Sequence, residues 1–133
     1  MRAADLMQTD VRTISPDDSV ADLVQALADS HVSGLPVVSP SGQIVGVVSA
    51  TDVLQASAEK EDTRARANLF EHTTVGDIMT RDAHLIEPDT DARDAAKQML
   101  YGEVRRLFVQ ENGRLVGVVS QTDIAQAVGS GRL

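Results

Sequence analysis

The segment GVVSATD, residues 46–52, returns as GVVSQTD at residues 117–123. Each is an apolar run suited to a strand, closed by a hydroxyl residue, a variable residue, a second hydroxyl and a carboxylate. Asp123 follows Asp52 by 71 positions and Pro88 follows Pro16 by 72, so two long stretches align with one residue lost between these marks. The loss falls in a turn, where VVSPSGQIVG in the first copy becomes VQENGRLVG in the second. Upstream, DLM at 5–7 matches DIM at 77–79, and SPDDSVAD at 15–22 matches EPDTDARD at 87–94. The copies cover roughly residues 3–56 and 75–127, most of the 133-residue chain. Repetition at this length governs the fold.

Local signals come in the same order in both copies. VRTI or AHLI reads as a short β segment running into a Pro-Asp turn, where Ser or Asp can accept bonds from the first amides of a helix. Val20, Leu23, Val24 and Leu27 then recur at helical spacing, as do Ala92, Ala95, Ala96, Met99 and Leu100. A hairpin follows: LPVV and QIVGVVS flank Ser41-Gly42, and LFVQ and RLVGVVS flank Asn112-Gly113, two residues that tolerate positive φ. VLQASAEKE or IAQAVG closes each copy as a second helix. The order predicted is β-α-β-β-α, twice, an α/β (α+β) chain. Residues 1–58 form the first domain, 59–73 a charged helical linker and 74–133 the second domain. The stretch from Ser57 to Thr73 has neither Pro nor Gly. It reads as a solvated connection, with the alternative that Arg64 or Arg66 folds back over a ligand.

Composition limits the function. With three aromatic residues, Phe70, Tyr101 and Phe108, the core must be aliphatic. A net charge of -8 argues against a nucleic-acid partner, since duplex binding relies on Lys and Arg neutralising phosphates. The absence of cysteine excludes disulfides and thiolate metal sites. No apolar run approaches the roughly 20 residues of a membrane helix and no signal segment opens the sequence. These features point to a soluble, cytoplasmic protein with no membrane association.

An LPVV-like strand, a Gly turn, and then Gly, two apolar residues, Ser, any residue, Thr and Asp entering a helix resemble the cystathionine-β-synthase (CBS) domain. Two in tandem resemble a CBS pair, the nucleotide-sensing module also found in the γ subunit of AMP-activated kinase, with its domains related by pseudo-twofold symmetry. The motif suits a nucleotide physically. A helix start attracts phosphate, and an Asp can accept both hydroxyls of a ribose. Thr51 or Asp52 would equally serve as an ordinary helix N-cap.

The resemblance implies two pockets shared between the copies. One joins Ser120, Thr122 and Asp123 to Ser15, Val20, Val32 and Ser33; the other joins Ser49, Thr51 and Asp52 to Glu87, Ala92, Val104 and Arg105. Arg105-Arg106 stands where the family often has His-Arg and offers phosphate contacts, although pairing with Glu103 or an Asp is the competing role. Phe108 replaces Pro36 of the first copy, to stack near a base or fill the mouth, and Glu87 replaces Ser15. AMP, ADP or ATP is the first expectation for the ligand, with S-adenosylmethionine or NAD as further options.

Two other classes compete. His31, His72 and His84 show no spacing of a nucleophile elbow or zinc site, so no catalytic or metal role is assigned and no cofactor is required. A docking module without a small ligand would use apolar helical faces, Val53, Leu54 and Ala56 or Ile124, Ala127 and Val128, which in the family also join CBS pairs into homodimers. The expectation is a stand-alone regulatory CBS pair that binds an adenosyl ligand, forms a homodimer and signals to an unidentified effector protein.

Overall fold

The computed structural model describes residues 1–60, 62–81 and 83–133. Glu61, at the end of the expected VLQASAEKE helix, and Asp82 lie outside the described residues. The elements run α1 (Ala3–Leu6), α2 (Val20–Ser30), β1 (Gly34–Val38), β2 (Ile44–Ser49), α3 (Ala50–Ala58), α4 (Thr63–His72), α5 (Val75–Ile78), β3 (Leu85–Ile86), α6 (Ala92–Gly102), β4 (Arg106–Glu111), β5 (Arg114–Ser120) and α7 (Gln121–Gly129).

They gather into two compact units whose limits are not those of the two repeats. One unit is Arg12–Ala83; the other joins Met1–Val11 to His84–Leu133. Each repeat thus contributes its leading helix to the unit built on the other. Two glycines permit this exchange. Thr80 pairs with Val47 through reciprocal backbone bonds of 2.8 Å, and Gln8 pairs with Val118 through bonds of 2.9 and 3.0 Å. A Cβ on Gly46 would lie 2.6 Å from the Thr80 carbonyl oxygen, and one on Gly117 would lie 2.7 Å from Met7 Sδ and 3.0 Å from the Gln8 carbonyl oxygen. The aspartates of DLM and DIM hold the docked helices: Asp5 accepts from the Arg2 N–H at 2.8 Å and Asp77 from the Thr74 N–H at 3.1 Å.

In the Arg12–Ala83 unit, β1 and β2 form an antiparallel hairpin. In the other, β3 pairs parallel to β4 and β4 antiparallel to β5. The first-copy segment VRTI falls short of the strand expected, contributing a single parallel bridge between Ile14 and Val37. Proline explains the difference. Phe108 donates its N–H to the His84 carbonyl at 3.0 Å, whereas Pro36 at the matching position has no N–H to give. The turn at Asn112-Gly113 has φ of 54 and 79°, as the two-residue hairpin requires.

Both cores are aliphatic. Leu23, Leu35, Val37, Val48, Leu69 and Val75 anchor one, and Ala92, Met99, Leu107, Val109, Val119 and Ile124 the other. Burying each large aliphatic side chain contributes about 1.5–3 kcal/mol. Val24 and Leu100, expected on the apolar faces, are 41% and 75% exposed. Each follows a buried residue, Leu23 or Met99, by one position and is turned about 100° from it around the helix. The charged connection holds α4, capped by Asp62, whose Oδ1 accepts from the Ala65 N–H at 2.7 Å; its Leu69 is buried, so the segment is anchored in the core and is more than a solvated linker. Among the described residues no helix is long and apolar enough to cross a membrane.

Candidate functional site

The helices α3 and α7 begin three residues before the expected Val53 and Ile124, which places the whole hydroxyl and carboxylate motif in their first turns. Ser49 and Ser120 are the N-caps, a role expected of Thr51 or Asp52. The Ser49 hydroxyl oxygen accepts from the Asp52 N–H at 3.3 Å, and Asp52 Oδ2 accepts from the Ser49 N–H at 2.8 Å. Ser120 and Asp123 repeat the arrangement at 3.1 and 2.8 Å. These are capping boxes with Asp in the returning position.

The cap uses one carboxylate oxygen and leaves the rest of the motif available. Thr51 and Thr122 are exposed, and their backbone N–H groups, in the helix's first turn, have no partner among the described residues. The adjacent N–H of Ala50 donates to the Ser33 carbonyl at 2.8 Å, and that of Gln121 to the Arg105 carbonyl at 3.0 Å. Ser33 is thereby fixed beside the first corner and Arg105 beside the second. The approach is set by left-handed turns at His31 and Glu103, with φ of 53 and 52°. His31 therefore ends α2, and its side chain is exposed.

The remaining candidates fall into two groups. Ser15 is half-buried in its turn, its hydroxyl oxygen accepting from the Asp17 N–H at 3.2 Å and its own N–H donating to Asp18 at 3.0 Å. Val32 and Val104 are half-buried. Val20 and Ala92 are fully buried in the cores of their units and present no surface to a ligand. Glu87 is exposed and accepts from the Gln110 amide at 3.5 Å. Arg105 is exposed without an ion pair among the described residues, while Arg106 opens β4 directly across from Ser120. Phe108 is 6% exposed and packs inside rather than lining a mouth.

One contact had no sequence expectation. Gln8 Nε2 donates to Asp123 Oδ1 at 3.3 Å, and both residues line an open cleft of about 460 Å³ with Asp5, Met7, Gln126 and Arg132. The signal available was the position of Gln8 directly after DLM, where Thr80 follows DIM. Among the described residues no group of three or more His, Asp or Glu is placed to hold a metal ion.

The model of the CBS domain matches residues 3–59 and 75–130. Among curated proteins, the chain is 28% identical to the uncharacterized protein MJ1225 of Methanocaldococcus jannaschii over 95% of its own length, and 31% identical to inosine-5'-monophosphate dehydrogenase of the same organism over 92%. It spans only 42% and 23% of those two proteins. Among solved structures, CBSX2 in complex with AMP superposes with a TM-score of 0.82 at 27% identity, covering 99% of this chain and 98% of that one. CBSX2 is a CBS-pair protein of Arabidopsis thaliana.

Proposed function

Because this chain belongs to the CBS domain family and carries the domain twice, we propose that it is a non-catalytic regulatory module that binds an adenosine-containing nucleotide, AMP, ADP or ATP before S-adenosylmethionine or NAD. The observation that carries this reading is the likeness, over nearly all of both chains, to the CBSX2 chain crystallised in complex with AMP. The corners supply suitable chemistry. Asp52 and Asp123 accept from the ribose hydroxyls, and the Thr51 and Thr122 hydroxyls and N–H groups donate to ribose or phosphate oxygens. Val32, Ser33 and Ser15 serve the base, as do Val104 and Glu87. Arg105 and Arg106 take phosphate, at about 1.5–3 kcal/mol for each charge-assisted bond. The bound nucleotide favours the conformation it binds more tightly, and an effector reads that population.

A second reading, a docking or dimerisation module, draws on exposed apolar side chains. Val53, Ile124 and Ala127 of the expected faces turn into the core, but Leu54, Leu100, Tyr101 and Val128 are 58–86% exposed. A homodimer through these helices is compatible with nucleotide binding, and light scattering with and without AMP reports it.

Isothermal titration with AMP, ADP, ATP, NAD and S-adenosylmethionine tests the nucleotide reading. Micromolar binding, about -8 kcal/mol, weakened at least tenfold by Asp52→Ala or Asp123→Ala in folded protein is the expected result. No heat from any of them, in protein free of co-purified nucleotide, favours the docking module.

A further inference from the structure

Gln8 and Thr80 hold the same place in the two units. Each follows a methionine of the repeated DLM or DIM, and each pairs through backbone bonds with the first valine of GVVS, Val118 or Val47. Their side chains do different things. Gln8 Nε2 donates to Asp123 Oδ1 at 3.3 Å, whereas the shorter Thr80 makes no hydrogen bond to Asp52 among the described residues. Both oxygens of Asp123 are therefore engaged, Oδ2 by the Ser120 N–H and Oδ1 by Gln8. Asp52 commits only Oδ2, to Ser49, and Oδ1 has no partner among the described residues.

We infer that Gln8 is an internal competitor for the ligand's diol at the Asp123 corner, so that the Asp52 corner fills first and Gln8 sets the affinity of the second. The inference rests on the nucleotide reading above. Gln8 does not close the site, because a carboxylate has about four lone-pair positions and the exposed amide can turn back to water. It removes the best-placed acceptor and must be displaced or accommodated. An exposed hydrogen bond of this kind shifts binding roughly two- to tenfold. The two corners thus differ in affinity through a residue outside the motif, which spreads the response over a wider range of nucleotide concentration.

The test isolates each corner with AMP as the probe. In the Asp52→Ala background, adding Gln8→Thr is expected to tighten AMP binding at the remaining corner two- to tenfold by isothermal titration. In the Asp123→Ala background, Thr80→Gln is expected to weaken it by a similar factor. Gln8→Thr installs the side chain the other unit already carries at this place, and Gln8→Ala provides a second variant should Thr disturb folding. Wild-type protein that binds AMP, with affinities unchanged by both Gln8 variants in folded protein, overturns the inference and leaves the nucleotide reading standing. Wild-type protein that binds no AMP overturns both.

Discussion

Ser49 and Asp52 form a closed local pair before any ligand arrives, and so do Ser120 and Asp123. The cap fixes each carboxylate at the helix start, which is where a diol would need it. Ser49→Ala or Ser120→Ala should cost about 1 kcal/mol, within the 0.5–2 kcal/mol range of lost N-caps, measured by urea unfolding. The residue-49 and residue-120 backbone N–H groups still hold the Asp52 and Asp123 carboxylates in these variants, so AMP binding should fall by no more than the loss of a hydroxyl contact, read by isothermal titration. At this scale the motif was legible as a strand-to-helix corner, because serine, threonine and aspartate at such a spacing have few other uses. Which residue capped was less so, since three neighbouring side chains were all competent. Gln8 could be read only as the residue that follows DLM, and its meeting with Asp123, 115 positions away along the chain, could not be read.

At the scale of elements, the glycine of each GVVS segment decides whether the segment that follows the other copy's leading helix can approach. Gly46→Ala would place a methyl group 2.6 Å from a backbone oxygen, and Gly117→Ala one 3.0 Å from another. Overpacking of this kind costs about 1–3 kcal/mol, to be read as a lower urea midpoint, whereas Gly129→Ala, with nothing within 4 Å, should be near neutral. Helix faces and both hairpins could be read from periodicity and turn residues. The missing first strand could not, since VRTI and AHLI look alike and the difference lies in Pro36, a partner more than twenty residues away, which lacks the donor that Phe108 supplies. Likewise Leu69 sat in a segment too charged to suggest an anchor, yet it is 2% exposed.

At the scale of the whole chain, the two repeats and two compact units are cut at different places. Ala3 and Leu6 belong to the core that includes Ile86, Leu107 and Val119. A fragment of residues 74–133 should therefore lack part of its core and fail to unfold cooperatively, while the contiguous fragment 12–83 should do so, as followed by circular dichroism. Adding a peptide of residues 1–11 should restore cooperativity to the former. Sequence alignment gave no hint of this exchange, because DLM and DIM align in register whichever unit they join.

The central claim is that the hydroxyl and carboxylate corners are nucleotide sites, and titrating isotopically labelled protein with AMP while following backbone amide resonances tests it most directly. The account predicts saturable shifts concentrated at Ser49–Asp52 first and Ser120–Asp123 at higher AMP, with the first set lost in Asp52→Ala. Saturation with no shift at either corner, or shifts confined to the exposed faces at Leu54, Leu100 and Val128, would contradict it.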